Sequence, residues 1–134
     1  MSEVVTRRPH LLKSRSEQGV LILTITAPHL GGDALVHELG EELSAAVNGA
    51  QAPKVVLDFQ PVTALASAGF RPLLSLRRKI EERGGRLVLC NMGPVVEQAW
   101  RATRLISTSR SSAAAFDLQP TLAAALATFA SPEA

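Results

Sequence analysis

The run from Lys54 to Asn91 constrains this chain more than any other stretch. It opens with KVVLDF (Lys54–Phe59), a short apolar run rich in β-branched residues with an acid at Asp58, which predicts a buried strand. QPVTALASAGF follows, and Ser67-Ala68-Gly69 is the point where a loop is expected to turn into a helix. RPLLSLRRKIEERGG then sets Leu73, Leu74, Arg77, Ile80 and Glu81 at spacings of three and four, an amphipathic helix closed by Gly84-Gly85. RLVLCN (Arg86–Asn91) is a second apolar strand. Strand, loop, helix, tight turn and strand make a βαβ unit, whose strands are expected to lie parallel and to be joined by a right-handed crossover.

A chain of 134 residues is long enough to bury one core without staples. Its residues are 46% hydrophobic and 19% charged, which argues for a folded globule and against disorder. Four Phe, one Trp and no Tyr leave the core to aliphatic side chains and weaken any single-strand nucleic-acid reading, which wants stacking rings. A net charge of +2 implies no polyanion partner. The lone Cys90 lies inside an apolar strand, is expected to be a buried, inert thiol, and fits a reducing compartment. No stretch has the length of a secretory core or a membrane helix, so a cytoplasmic protein with no membrane partner is expected.

Before the central unit, residues 1–9 read as a loose arm. HLLKSRSEQGVLILTI places a turn at Gln18-Gly19, between a mixed edge strand and the apolar strand VLILTI, which should be central. TAPHLGG (Thr26–Gly32) reads as a loop. A first helix is expected from Asp33 as N-cap to Asn48, stopped by Gly49, with Val36, Leu39, Leu43, Ala46 and Val47 inward and Glu38, Glu41 and Glu42 facing water. After the unit, Gly93-Pro94 starts the helix PVVEQAWRATRL, burying Val95 or Val96, Ala99 and part of Trp100. ISTSRSSAAA (Ile106–Ala115) reads as a helix end plus loop, and Phe116-Asp117-Leu118 as an edge strand. A last helix, TLAAALATFA, turns Leu122, Leu126 and Phe129 inward before a tail at residues 131–134. The expected fold is α/β: one domain over residues 10–130, a mixed sheet of about five strands, and about four helices mainly on one face.

Three passages, VVLDFQPVTALASAGF, GGRLVLCNMGPVVEQAW and the late F-x-L strand ahead of an Ala/Leu helix, together resemble a STAS domain, the sulphate-transporter and anti-sigma-factor-antagonist fold. The resemblance covers nearly the whole chain after the arm and is nearest to the stand-alone bacterial antagonists. It implies a cytoplasmic signalling protein that switches partners by phosphorylation, binding an anti-sigma serine kinase of the histidine-kinase-like ATPase type and so freeing a sigma factor. Other STAS proteins are further partners that it implies. The family writes Asp-Ser-Ser-Gly where this chain has Ala66-Ser67-Ala68-Gly69. The usual acceptor serine falls on Ala68 and the preceding acid on Ala66. Ser67 survives, and in the stressosome branch the acceptor resembles that first position.

Ser67 therefore has two readings: a hydroxyl that caps free backbone N–H groups, or a phosphoacceptor at a helix start whose dipole favours a dianion. Ala66, Ser67, Ala68, Gly69, Phe70 and Asp58 are the candidate partner-binding residues. Phe70 is either a buried anchor or an exposed contact. Gly69 serves close approach either by a partner's backbone or by the chain's own sheet. Asp58 is expected to accept hydrogen bonds from loop amides. The basic residues Arg71, Arg77, Arg78, Lys79, Arg83 and Arg86 are spread around their helix and partly compensated by Glu81 and Glu82, so they read as a solvated face or an interface rim, not as a nucleic-acid stripe. His10, His29 and His37 show no metal-ligand spacing, and no His or Lys completes a mechanism with Asp58, so neither an enzyme, a metal site nor a cofactor is expected. The alternatives to a partner switch are a STAS scaffold that is not phosphorylated, in a homo- or hetero-oligomeric complex, and a small-ligand binder, for which the sequence offers nothing positive.

Overall fold

A computed structural model of the chain describes residues 11–48, 53–103, 106–107 and 116–130. The arm, His10, the Gly49 stop, the end of the third predicted helix, the Ser/Ala-rich stretch after Ser107 and the tail lie outside the described residues. In chain order the elements are β1 (Leu12–Glu17), β2 (Val20–Ile25), β3 (His29–Leu30), α1 (Asp33–Val47), β4 (Lys54–Asp58), β5 (Ala64–Leu65), a 3-10 turn (Ser67–Gly69), α2 (Phe70–Glu82), β6 (Arg86–Cys90), α3 (Pro94–Thr103), β7 (Ile106–Ser107), β8 (Phe116–Gln119) and α4 (Leu122–Ala130).

The main sheet runs β1-β2-β4-β6-β8-β7, with β1 antiparallel to β2 and the other neighbours parallel. The α/β fold with a mixed sheet is the expected one, and the two-residue β7 extends it by a strand that two residues cannot announce. Because β7 lies outside β8, the Phe116–Leu118 strand is internal and not an edge. Gln18 (φ 55°) and Gly19 (φ 78°) make the β1–β2 turn, both in the left-handed region that matches the twist of paired strands.

Side chains alternate along the strands into two cores. Leu23, Ile25, Val55, Leu57, Leu87 and Leu89 face α1, α2 and α3, whose Leu39, Leu43, Leu73, Ile80, Val96 and Trp100 complete one apolar layer. Val20, Ile22, Val56, Val88 and Cys90 face the other way, against Ala125 of α4 with Leu122, Leu126 and Phe129 around it. Three helices thus cover one face and one covers the other. The strands between them read as continuous apolar runs because they are buried on both faces.

Several local expectations change. Gly32 (φ 85°), not Asp33, is the residue before the first turn of α1, and Asp33 lies inside that turn, where its charge complements the helix dipole. Glu42 does not simply face water: its Oε1 accepts hydrogen bonds from the N–H groups of Leu11 (3.1 Å) and Leu12 (3.2 Å), so it clips the start of β1 to α1. Trp100 is fully buried, and of the valine pair it is Val96 that goes inward while Val95 is 63% exposed.

The central βαβ unit matches its expectation closely. α2 buries Pro72, Leu73, Leu76 and Ile80 and sets the Arg77–Glu81 ion pair (3.4 Å) on its outer side. It ends in a Schellman motif: Gly85 N–H donates to Ile80 O (2.9 Å) and Gly84 N–H to Glu81 O (3.0 Å), with Gly84 at φ 77°. Gly85 has its own reason to be glycine, since a Cβ there would lie 2.2 Å from Pro53 O.

Candidate docking site

Asp58 ends β4 in the middle of the sheet and is 8% exposed. Its Oδ1 accepts from the Gln60 N–H (2.9 Å) and from Asn91 Nδ2 (3.1 Å), so the carboxylate fixes the loop that leaves β4 and ties it to the end of β6. This is the loop-amide bond expected of it, with Asn91 as a second donor that sequence reasoning missed. Asn91 stands at φ 60°, a left-handed conformation that asparagine tolerates better than most residues. Beside it the Cys90 thiol is buried, and burial, followed by the Asp58 charge, pushes its pKa up to about 12. It is therefore the inert thiol expected, present as neutral S–H at any physiological pH.

The loop does not remain loop. Ala64–Leu65 pairs in parallel with His29–Leu30, making a second, two-stranded sheet from segments both read as irregular. Pro28 O accepts from the N–H groups of Thr63 (2.7 Å) and Ala64 (3.1 Å) and from Thr63 Oγ1 (3.0 Å), and Leu30 O accepts from the Ala66 N–H (2.8 Å). Pro28, Leu30 and Thr63 are thus the supporting residues that sequence reading overlooked. The one available signal was Gly31-Gly32: a Cβ on Gly31 would lie 3.1 Å from Ala66 Cβ and 3.1 Å from the His29 ring, so the glycine lets the loop tip sit close to β3.

From this frame the chain enters its turn. Gly69 N–H donates to Ala66 O (2.8 Å), closing the 3-10 turn that starts at Ser67, and α2 proper begins at Phe70. The helix start expected at Ser67 is present as this tighter turn. Ala66 is exposed and Ala68 half-buried, whereas Gly69 is buried. A Cβ on Gly69 would meet Leu65 Cδ1 at 2.6 Å and Leu30 O at 2.9 Å, so close approach to the chain's own small sheet accounts for the glycine. Phe70 is half-buried, its ring edge-on to Trp100 at 4.6 Å between centroids, and Phe59 meets the same indole at 6.2 Å. Phe70 is therefore an anchor of the helix start within the core. Of the predicted surface residues, Ala66 and Ala68 reach solvent, with exposed His29 and Arg71 near them in sequence or pairing, while Asp58 and Gly69 build the site from behind.

The basic residues do not gather into a stripe. Lys79 Nζ donates to Ser44 Oγ of α1 (2.9 Å). Arg86 leaves that side altogether: it pairs with Asp117 (2.9 Å), donates to Thr128 O (3.1 Å) and lies over the Phe129 ring, locking α4 to the sheet. His37 pairs with Glu41 at 3.2 Å on the surface of α1. Among the described residues no group of three acidic, His or Cys side chains is placed to hold a metal ion, and no helix is long and apolar enough to cross a membrane.

A solved STAS domain protein from Planctomyces limnophilus, described as an anti-sigma-factor antagonist, has TM-score 0.70 at 22% identity, covering 87% of this chain and 95% of that one. An anti-sigma factor antagonist from Mycobacterium paratuberculosis has TM-score 0.69 at 23% identity, covering 87% and 91%. The murine Solute Carrier 26 family member A9 anion transporter has TM-score 0.65 at 17% identity, covering 85% of this chain and 18% of the transporter. Likenesses at these identities show a shared fold, found both in stand-alone antagonists and within a transporter. No curated protein sequence matches the chain. The family model described as the STAS domain matches residues 12–125. With that match extending from β1 into α4, the chain belongs to the STAS domain family.

Proposed function

We propose that this STAS domain is a regulatory binding module of the anti-sigma-factor-antagonist type, which exchanges protein partners at the start of α2 and is controlled by phosphorylation of Ser67. The observation that supports this reading is the build of that junction. Ala66 is exposed and Ala68 half-buried on a backbone bonded to β3 through Leu30 O, so small uncharged side chains stand on a fixed frame. A partner can approach such a surface closely without desolvating a charge. A phosphoryl group on Ser67 would add about 1.5–2 negative charges there, and a partner packed on Ala66 and Ala68 would leave. The partner in this reading is an anti-sigma factor with serine-kinase activity of the histidine-kinase-like ATPase type. The setting is the bacterial cytoplasm, the output is transcription, and the module acts by binding and not by catalysis.

A second reading is favoured by Ala68 at the family's usual acceptor position: a scaffold that is never phosphorylated and assembles with other STAS chains. Phosphopeptide mass spectrometry after incubation with candidate kinases and ATP separates the two. Phosphate on Ser67 is the expected result. Unmodified Ser67 throughout, with STAS chains as the proteins captured from lysate, would replace the switch by the scaffold.

A further inference from the structure

The parallel strands β4, β6 and β8 end side by side, and in α/β sheets the crevice outside the carboxyl ends of the strands is where small ligands bind. In this chain a cleft of about 450 Å³ lies there, within the size range of small-molecule pockets. Gln60 and Thr63 come from the loop after β4, Asn91 and Met92 from the end of β6, Val96 from α3, and Pro120 from the end of β8. None of the described residues that line it carries a formal charge. Its polar side chains are two amides and a hydroxyl, and its apolar walls are a thioether, three valines and two prolines.

The cleft is built, not left over. One buried carboxylate, Asp58, organises both amide-bearing residues: its Oδ1 holds the Gln60 backbone N–H at 2.9 Å and Asn91 Nδ2 at 3.1 Å. Asn91, in its left-handed conformation, thereby has one of its two side-chain N–H groups engaged, with its carbonyl oxygen left as an acceptor. The Gln60 amide offers both a donor and an acceptor. Thr63 Oγ1 donates to Pro28 O, which leaves its lone pairs to accept. Glu97, the nearest acid on α3, is engaged by Arg101 Nε at 2.9 Å. Among the described lining residues a charged ligand would lose its hydration without gaining an exposed ionic partner, since the Asp58 carboxylate behind them is 8% exposed and its Oδ1 already accepts two hydrogen bonds. An uncharged amide edge would match amide against amide, while Met92 and Pro120 pack against the faces of a ring.

The geometry points to a small-molecule site in this cleft for an uncharged planar ring that bears a carboxamide or lactam. The site shares Asp58 and Thr63 with the frame of the docking surface, but its existence does not depend on the partner-switching reading. Titration of the isotope-labelled chain with benzamide and hypoxanthine, followed by amide chemical shifts, tests it directly. Saturable shifts at Gln60, Thr63, Asn91 and Met92 are expected. Benzoate and benzamidine, the anionic and cationic counterparts of benzamide, are expected to bind about tenfold more weakly or not at all.

Two variants localise the effect. Gly93 lines the cleft and a Cβ on it meets nothing within 4 Å, so Gly93→Phe adds a ring at the cleft wall without a clash. Gln60→Leu removes one amide from an exposed position while its backbone bond to Asp58 stays. Each is expected to weaken benzamide by about tenfold with the remaining spectrum unchanged. Absence of shifts with both probes, shifts centred elsewhere, equal binding of benzoate or benzamidine, or full binding to Gly93→Phe would each overturn the assignment.

Discussion

Replacing Gly69 by alanine sets two effects of known sign against each other. At an unstrained helical position the change stabilises by about 0.5–1 kcal/mol, through helix propensity and a less flexible unfolded chain. Gly69 has ordinary right-handed angles (φ −68°, ψ −15°), so nothing in its own backbone opposes alanine. What opposes it is space. The new Cβ would lie 2.6 Å from Leu65 Cδ1 and 2.9 Å from Leu30 O. The leucine methyl can rotate away, but Leu30 O is backbone and already holds the Ala66 N–H at 2.8 Å. Relieving the contact means pushing β3 away from the turn, an overpacking cost of about 1–3 kcal/mol. The expected net result is a loss of about 1–2 kcal/mol, or about 3–10 °C in Tm for a domain of this size. Urea unfolding of both forms measures it, with Gly93→Ala, where the Cβ meets open space, as the control that stays within about 0.5 kcal/mol. A Gly69→Ala midpoint equal to or above the parent's would refute the reasoning. It would mean that the glycine is not there for internal packing and would return its backbone to a visiting partner.

Other outcomes follow from single contacts. Arg86→Met removes the Asp117 pair and the Thr128 bond but keeps an aliphatic stem on Phe129; because the pair is partly solvated, a loss of about 1–2 kcal/mol is expected in urea unfolding, with hydrogen exchange faster in α4 than in α2. The Cys90 thiol should resist iodoacetamide in the native state and react once unfolded. Its folded pKa of about 12 lies above the ordinary 9.0, so its contribution is complete below pH 9.0 and is lost as the unfolded thiol ionises between there and about 12, at up to about 1.4 kcal/mol per pH unit. A flat alkaline limb after allowance for other groups, measured against Cys90→Ala, would contradict that burial. Ala66→Asp combined with Ala68→Ser restores the family's acceptor sequence and is expected to make a kinase substrate, read by phosphate incorporation; a double variant that binds a family kinase yet takes up no phosphate would show that the loop alignment is out of register.

What the sequence showed and what it hid divide along the range of the interactions concerned. The βαβ unit was legible because its signals are local: an apolar run, a helical spacing, and Gly84-Gly85 at the one place where a Schellman motif and Pro53 both require glycine. The small sheet was hidden because each of its strands is two residues long and pairs with a partner 35 positions away, as His29 does with Ala64. Two residues carry no period. Glu42 failed for the same reason: on a helical wheel it belongs to the wet face, and only the path of β1 brings backbone N–H groups to it. For the candidate site, position in the chain found the junction, while exposure within it waited for the third dimension. Ala66 and Gly69 look alike in sequence, yet one meets solvent and the other faces a carbonyl.

The pairing of β3 with β5 has a thermodynamic corollary. Thr63, Ala64 and Ala66 each donate a backbone hydrogen bond across that ribbon, so the residues under the junction have already surrendered their freedom before any encounter. Association at such a place forfeits little chain entropy, which favours fast, reversible recognition from a modest contact area. A modification there, if the proposed one occurs, would act by altering what a visitor meets at the surface, since the braced segment has few other shapes to adopt.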